Sequence, residues 1–313
     1  MKRADFFDYA APGGSASVLS VGVFDGMHRG HQHLIGRAVE RARSLGVTPI
    51  AVTFNPRPRE VLRPDLPSDY LVTLDERLEL LAALGVEVTA VIEFTREVAA
   101  IPAAEFVRRL TQSYRMTELW VGRDFALGHG RGGTIPVLRE LGETSGFRVE
   151  VAEPFTLGVQ VVSSTLIHQK LAEGDVRGAA VLLGRPVHVT GPVVYGAQRG
   201  RTINVPTANV APPERLALPA NGVYAVRAAA LGLGERPALS GLAGVANIGT
   251  RPTFDNGARS VEAHLFDFSG DLYGQPLRVE FVERLRPEMK FDGVTEFLAQ
   301  IQRDMARARE ILS

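Results

Sequence analysis

The N-terminal part of the chain alternates short apolar runs with longer stretches of helical periodicity. Residues 18–24 form an apolar run, the polar stretch 25–31 follows, and apolar residues then recur at helical spacing from Leu34 to Ala42. This order predicts a strand, a loop and a helix, and the apolar run at 47–54 predicts the next strand. Because two further helix–strand pairs follow, we predict a doubly wound α/β domain with a parallel sheet.

The pattern changes near residue 185, where helical periodicity gives way to strands separated by Gly, Pro and Asn turns. Helical periodicity returns only at 293–312. A series of short strands of this kind predicts a small antiparallel β-barrel, closed here by one C-terminal helix. We therefore predict two domains: an α/β domain over 1–184 and a β-barrel domain over 185–313.

Charge and composition narrow the function. The 35 Lys and Arg residues are balanced by 35 Asp and Glu residues, so no net positive field attracts nucleic acid or anionic lipid. The chain has no cysteine, which excludes disulfides, thiolate metal sites and a cysteine nucleophile. It also lacks a signal-peptide pattern and any run near the roughly 20 apolar residues of a membrane helix. We expect a cytoplasmic protein with small-molecule partners, neither nucleic acid nor membrane, and leave its oligomeric state open.

Two histidines mark a first candidate site. His28 and His31 lie three residues apart where the first predicted strand gives way to its helix, so both rings can face one point beside free helix N–H groups. Helix N-termini favour phosphate, and imidazoles placed there can donate hydrogen bonds to it. Gly26 and Gly30 would let a polyphosphate approach the backbone closely. The alternatives are two ordinary polar loop residues or a pair of metal ligands.

A glycine-spaced segment marks a second candidate site. Its glycines, which would let the loop close over phosphates, are Gly191, Gly196 and Gly200. The tetrad Pro-Thr-Ala-Asn follows at 206–209, and Thr207 and Asn209 project on the same side of an extended segment. Their oxygens suit a magnesium ion shared with ATP. The alternative is a β-turn with a buried Thr and Asn.

Together these motifs resemble the HxGH nucleotidyltransferase superfamily and, within it, the prokaryotic bifunctional riboflavin kinase/FMN adenylyltransferases. The resemblance covers nearly the whole chain, and the barrel carries it through GVYAV, GVANIGTRPTF, VEAHLFDFSGDLYG and LRPEMKF. It implies that the α/β nucleotidyltransferase domain adenylylates FMN to FAD with release of pyrophosphate. It also implies that the barrel, a riboflavin kinase domain, phosphorylates riboflavin to FMN, with ATP as co-substrate and Mg²⁺ as cofactor of both steps.

The resemblance also implies residue roles. His28 and His31 would bind the ATP phosphates and stabilise the transition state of adenylyl transfer. The other implied ATP-binding positions of the first domain are Gly22, Phe24, Asp25, Gly26, Gly30, Ser163, Ser164, Thr165 and His168. The implied flavin-binding positions are Asn55, Asp124, Phe125 and Arg131, with Arg286 in the barrel. Glu262 would be the general base that takes the proton of the riboflavin 5′-hydroxyl, and strand alternation places Glu262 and His264 on one face.

Several positions depart from the family pattern. The family usually has arginine at His168, histidine at Arg57 and an aromatic residue at Leu127; Ile203 and Asn204 replace the usual leucine and glycine. A histidine is mostly neutral at pH 7 and cannot grip phosphate with two parallel hydrogen bonds as arginine does. We therefore expect slower adenylyl transfer. Two other functions stay open: a riboflavin kinase with an impaired N-terminal domain, and a non-catalytic flavin-binding module.

Overall fold

The computed structural model describes residues 2–5, 15–66, 69–196, 206–234, 237–250 and 259–313. The chain forms two compact units, Met1–Ser164 and Thr165–Ser313, here called the first and second unit. None of the helices in the described ranges combines the length and the hydrophobicity that a membrane-spanning segment needs. The predicted boundary between 184 and 185 lies after two helices that the structure groups with the barrel, and it stays a prediction.

A six-stranded parallel sheet forms the centre of the first unit. The strands of the unit are β1 (Lys2–Asp5), β2 (Ser17–Val21), β3 (Thr48–Phe54), β4 (Val88–Ile92), β5 (Met116–Gly122), β6 (Ala126–Leu127), β7 (Gly133–Thr134), β8 (Arg148–Ala152), β9 (Thr156–Leu157) and β10 (Gln160–Val161). The sheet order is β1-β4-β3-β2-β5-β8, so the chain reverses its direction of travel between β2 and β5. Open parallel sheets bind ligands beyond the carboxyl ends of strands at such a switch point.

Helices cover both faces of this sheet. They are α1 (Arg29–Leu45), α2 (Pro58–Leu62), α3 (Leu74–Ala83), α4 (Arg96–Ala99), α5 (Ala103–Tyr114) and α6 (Ile135–Ser145). Ala51 packs with Ile35 of α1 and Leu81 of α3, whereas its neighbour Val52 packs with Leu110 of α5 and Leu138 of α6. Adjacent strand residues point to opposite faces, so the sheet is buried on both sides. The predicted doubly wound α/β fold is confirmed.

The second unit is a closed antiparallel barrel with helices. Its elements are α7 (Ser164–Glu173), which begins on the last residue of the first unit, α8 (Val176–Leu183), β11 (Val187–Val194), β12 (Ala208–Val210), β13 (Gly222–Ala230), β14 (Leu239–Thr250), β15 (Arg259–Leu265), β16 (Pro276–Arg286) and α9 (Val294–Leu312). The barrel order is β11-β12-β15-β14-β13-β16. Helix α7 joins it through the Ala220 N–H, which donates to Leu171 O at 2.8 Å. The predicted barrel with a terminal helix is confirmed.

Strand β15 shows why this sequence forms a barrel wall. Val261, Ala263 and Leu265 are buried, and Glu262 and His264 between them keep partial exposure. One face therefore fills the barrel interior while the other stays available for chemistry. The two faces are those that the alternation of apolar and polar residues predicts.

Gly191 gives a test of barrel closure. A Cβ at this position would collide with the backbone carbonyl oxygen of Ala211, where β11 and the end of β12 come together. Because a backbone atom cannot move aside without opening the barrel, Gly191→Ala should lower the free energy of unfolding of the second unit by about 2–3 kcal/mol. Urea unfolding followed by far-UV circular dichroism measures this change. Gly293→Ala, where a Cβ meets no atom within 4 Å, is the control and should cost under about 1 kcal/mol; equal losses would contradict the explanation.

Candidate active sites

The loop between β2 and α1 is held in an unusual backbone conformation. Phe24, Gly26 and Met27 have φ angles of 51°, 76° and 41°, in the left-handed region. Phe24 and Met27 bury their side chains in the core beneath α1, and a Cβ at Gly26 would lie 2.7 Å from Leu71 Cδ1. Strained backbone of this kind persists only where surrounding packing determines it. The buried side chains therefore fix the point at which α1 and its histidines begin.

The two predicted histidines lie against each other at the start of α1. His28 is the N-cap residue, and its Nδ1 accepts a long, weak hydrogen bond of 3.4 Å from the His31 backbone N–H. The rings stack with centroids 3.7 Å apart and an interplanar angle of 20°. Because Nδ1 of His28 is an acceptor, its ring proton lies on Nε2 when the ring is neutral. That N–H is the group that His28 can offer to a phosphate.

His31 has the electrostatics of a neutral imidazole. Burial lowers its pKa well below the ordinary histidine value of 6.5, and the charges of His28 and Arg77 lower the pKa further. Its Nδ1 is enclosed and has no hydrogen-bond partner within the described part of the chain. The ring of Phe24 packs edge-on at 5.5 Å. At pH 7 His31 is therefore uncharged.

Gly30 and Ser164 connect this loop to the end of the first unit. A Cβ at Gly30 would lie 3.0 Å from His28 Cε1 and 3.2 Å from Val162 O, so a side chain there would push the His28 ring or the 162–164 segment away. Ser164 Oγ donates to Asp25 O at 3.1 Å. Ser164 thus lies beside residues 23–31, here called the HxGH loop, and its own ATP-binding role stays a prediction. The ATP-binding roles of Ser163 beside it, and of Thr165 and His168 in α7, stay predictions.

Arg57, which replaces a family histidine, is tied to carboxylates. It is only 8% exposed, and its Nη1 lies 2.7 Å from Asp25 Oδ2. The same guanidinium lies 2.7 Å from Glu60 Oε1, and it donates to Asp69 O at 3.0 Å. Asp25 Oδ1 also accepts the Leu71 N–H at 2.9 Å. Arg57 therefore anchors the HxGH loop through Asp25, and two carboxylates offset the charge it would bring to a phosphate.

A pocket of about 690 Å³ lies at the carboxyl edge of the first unit's sheet. Its walls include three of the predicted flavin-binding residues, namely Asp124, Phe125 and Arg131, together with Leu127 and Gly22. Asn55, the fourth flavin-binding residue predicted for this unit, is not among the residues that line the pocket. Its backbone N–H donates to Ile92 O at 2.9 Å. The pocket borders the HxGH loop because Gly22 lies between β2 and that loop.

Sequence reasoning missed the aromatic lining of this pocket. Phe54 ends β3, Phe94 follows β4, and their rings meet edge to face with centroids 5.6 Å apart. Phe106 of α5 adds a third ring to the lining. Two of these residues lie at the carboxyl ends of neighbouring parallel strands, which is the signal that would have found them.

Two pockets of the second unit meet at Thr207. One, of about 580 Å³, is lined by Tyr195, Asp271 and Tyr273, and the other, of about 470 Å³, by Glu262. Thr207 lines both pockets. Molecules bound in the two pockets would therefore come closest to each other at this threonine.

Three polar residues form a row across the barrel wall beside Thr207. Asn209 of β12 is paired in register with Glu262 of β15, and Glu262 is paired with Asn247 of β14. Directly opposed residues of an antiparallel ladder lie on one face, so their side chains neighbour each other. A Cβ at Gly196 would collide with the side-chain amide of Asn209, which is 6% exposed. Close packing thus explains why positions 191 and 196 are glycine, and the phosphate-binding roles of both stay predictions. Three other residues singled out in the sequence, Gly200, Ile203 and Asn204, lie outside the described residues.

The donor set near Thr207 suits a metal that arrives with phosphate. In the described ranges, no group of three or more His, Cys, Asp or Glu side chains is placed to hold a metal ion. Thr207 and Asn209 provide neutral oxygens, which are hard ligands of the kind Mg²⁺ prefers. Because Mg²⁺ is usually bound by few protein groups together with substrate phosphates, this pair fits the predicted magnesium site.

Arg286 lines the same pocket as Glu262. Its guanidinium carbon lies 5.7 Å from the ring centroid of Phe291, and its Nη2 lies 2.8 Å from Asp304 Oδ2 of α9. The predicted general base and the predicted flavin contact of the barrel are therefore brought together. Asp304 was not predicted, because a single acidic residue on a helix carries no signal of its distant partner.

Comparisons with known proteins cover both units. Residues 12–166 match the family model for FAD synthetase, and residues 183–312 match the family model for riboflavin kinase. The bifunctional riboflavin kinase/FMN adenylyltransferase of Escherichia coli K12 is 40% identical over 294 residues, 94% of this chain and 92% of that protein. The Bacillus subtilis protein of the same name is 36% identical, covering 93% and 91%. A crystal structure described as a macrolide-efflux protein from Streptococcus pneumoniae matches at 31% identity and a TM-score of 0.87, covering 98% of both chains.

The lowered pKa of His31 predicts how stability changes with pH. Because the folded protein lowers the pKa of His31, the unfolded chain binds more protons once the pH falls below about 6.5. The free energy of unfolding of the first unit should therefore fall below that pH, by up to about 1.4 kcal/mol per pH unit. Urea unfolding at pH 7.5 and 5.5, followed by the fluorescence of the single tryptophan, Trp120, measures it.

The matched comparison is between two histidine variants. His31→Gln should remove most of this dependence on pH, and His129→Gln, at an exposed histidine, should leave it in place. A His31→Gln variant with the full wild-type dependence would contradict the assignment.

Proposed function

This chain belongs to the bifunctional riboflavin kinase/FMN adenylyltransferase family, and we propose that the pockets described above are its two active sites. The enzyme converts riboflavin to FMN and FMN to FAD, and it uses ATP in both reactions. One observation carries the assignment of the kinase site: Thr207 lines both barrel pockets, and Glu262 lines one of them. A phosphoryl group passing between two substrates needs two pockets that meet at one point.

For riboflavin phosphorylation, riboflavin occupies the pocket with Glu262 and ATP occupies the pocket with Asp271 and Tyr273. The Glu262 carboxylate takes the proton of the riboflavin 5′-hydroxyl while the hydroxyl oxygen bonds to the γ-phosphorus of ATP. The bond between that phosphorus and the oxygen that bridges it to the β-phosphorus breaks. The neighbouring amides of Asn209 and Asn247 in the same row favour a fixed carboxylate. ADP and FMN are the products.

Thr207 and Asn209 would hold a magnesium ion for this reaction. When bound there, Mg²⁺ would offset the negative charge of the ATP phosphates. The protein's own contribution is positional, because the β12–β15 register keeps both side chains on the Glu262 face. Gly196 keeps space for the Asn209 amide.

For adenylyl transfer, the isoalloxazine ring of FMN would lie in the 690 Å³ pocket, among the phenylalanine rings. Its phosphate would point past Gly22 toward the HxGH loop. A phosphate oxygen of FMN attacks the α-phosphorus of ATP. The bond between the α-phosphorus and the oxygen that bridges it to the β-phosphorus breaks, and pyrophosphate leaves. The Nε2–H of His28 and the neutral ring of His31 donate hydrogen bonds where negative charge develops. No protein nucleophile takes part, because positioning and charge stabilisation carry such a transfer.

The proposed location of the enzyme is the cytoplasm. Both reactions consume ATP, and their flavin products are needed where flavoproteins are assembled. The proposed location rests on this supply of ATP and this use of the products.

Glu262→Gln tests the kinase assignment. Glutamine keeps the size and hydrogen-bonding capacity of the side chain but cannot accept the hydroxyl proton, so kcat for FMN formation should fall by about 10²–10⁴-fold. Riboflavin binding, measured by quenching of flavin fluorescence, should stay within about twofold of wild type. Formation of FAD from added FMN is the internal control and should not change. Near-normal FMN formation would rule out Glu262 as the base.

His168→Arg tests the departure in the adenylyl-transfer site. An arginine restores a permanent, forked cation, whereas a histidine is mostly neutral at pH 7. Arg57 is paired with Asp25 and Glu60, so its charge does not compensate for the arginine missing at position 168. We expect FAD formation from FMN to become several-fold faster, at roughly 1 kcal/mol of added transition-state stabilisation. Gln169→Arg, at an exposed residue of the same helix, is the control for added charge, and equal rates for His168→Arg and wild type would overturn the hypothesis.

A further inference from the structure

We infer that Asp304 is a positioning residue for riboflavin phosphorylation, because it holds Arg286 away from Glu262 in the riboflavin pocket, which is the barrel pocket of about 470 Å³. This inference rests on the proposed function of the barrel. Asp304 lies on α9, is only 6% exposed, and lines the pocket that contains Glu262. It belongs to none of the sequence motifs of the barrel named above.

The ion pair between the two residues is forked. Arg286 Nη2 lies 2.8 Å from Asp304 Oδ2, and Arg286 Nε lies 2.9 Å from Oδ2 and 3.2 Å from Oδ1. Gln300 Nε2 donates to Asp304 Oδ1 at 2.8 Å, so the carboxylate is itself oriented from one turn earlier in the helix. A planar guanidinium gripped through two nitrogens has a fixed orientation. The remaining nitrogen, Nη1, donates to Pro287 O at 3.0 Å.

Helix α9 forms one wall of the riboflavin pocket. Phe297, Ile301 and Asp304 are spaced by four and three residues, which places them on one face of the helix, and all three line the pocket. The C-terminal end of the helix packs through Ala308 and Leu312 into a core cluster with the barrel wall. The helix therefore carries the carboxylate to a defined place beside Arg286, at the end of β16.

The charges that line this pocket explain why Arg286 needs a partner. The charged and titratable groups are Glu262 and His264 from β15, Arg286 and Glu288 at and after the end of β16, and Asp304 from α9. With Asp304 in place, the guanidinium is paired on the α9 side of the pocket. Without that carboxylate, Glu262 and Glu288 are the negative charges left in the same pocket. A guanidinium that turns toward Glu262 would compete for the oxygens that accept the hydroxyl proton.

A buried ion pair of this kind is weak evidence for stability alone, because desolvation of both charges offsets much of their attraction. The same helix carries a second forked ion pair for comparison. Arg309 lies 2.9 Å and 3.1 Å from the two oxygens of Asp267, and both side chains are exposed. Neither residue lines the riboflavin pocket. Asp267 has a φ of 56°, a conformation that asparagine tolerates well, so Asp267→Asn is a matched control.

The experiment compares steady-state riboflavin phosphorylation by the full chain and its variants. Asp304→Asn should lower kcat by about ten- to hundredfold, the scale of a misplaced group in an active site, while KM for ATP stays within about twofold. KM for riboflavin should stay within about twofold as well, because the obstructed carboxylate acts on the hydroxyl proton and not on binding. Asp267→Asn should keep the wild-type kcat and the wild-type KM for both substrates. A merely structural role for Asp304 would lower the free energy of unfolding without lowering kcat per folded molecule.

Two further variants keep the inference falsifiable. Asp304→Glu retains a carboxylate and should recover most of kcat. If Asp304→Asn does not fold, Arg286→Lys takes its place, because it removes the same forked ion pair from the other side and should also lower kcat. Arg286→Lys removes the fork, and its combination with Asp304→Asn should be no slower than the slower single variant. Wild-type kcat in Asp304→Asn, no recovery in Asp304→Glu, or additive losses would each overturn the inference. If wild type itself forms no FMN from riboflavin, the proposed function fails instead.

Discussion

The hydrogen-bonded register between β12 and β15 is the constraint on which the second unit depends. It pairs Ala208 with Ala263 and Asn209 with Glu262. A slip of one residue would turn Glu262 into the apolar barrel interior and bring a buried alanine to the pocket face. Closure of the barrel enforces the register, because each strand is held by a neighbour on both sides. Thr207, two residues before Asn209, reaches the meeting point of the two pockets for the same reason.

The first unit reaches a comparable result through topology. Its strand order reverses between β2 and β5, and the loop that follows β2 carries His28 and His31. Parallel strands present their carboxyl ends at one edge, so the aromatic pocket and the histidines lie on the same side of the sheet. The buried pair of Arg57 and Asp25 then holds the loop against the turn that precedes α3. Both units thus use backbone geometry to position the polar side chains of their sites.

Local patterns account for most of what the sequence predicts. The spacing of apolar residues that distinguishes a helix from a strand can be recognised within a few residues. For this reason the predictions of the α/β fold, the barrel and the two faces of β15 are confirmed. The pairings that matter at the sites join distant residues: Arg57 with Asp25, and Arg286 with Asp304. Neighbouring residues in the sequence do not predict these pairings, because each residue on its own is an ordinary charged side chain. The role of Gly196 in making room for Asn209 likewise depends on how close β12 comes to the end of β11.

The central claim is that one chain holds two chemically independent sites, with Glu262 needed in one and His28 in the other. It is tested most directly by mixing two variants, Glu262→Gln and His28→Ala, and following riboflavin, FMN and FAD by chromatography in the presence of ATP and magnesium. We expect Glu262→Gln alone to form almost no FMN, His28→Ala alone to stop at FMN, and the mixture to convert riboflavin to FAD. A mixture that forms no FAD, or either variant completing the conversion by itself at the wild-type rate, would contradict it.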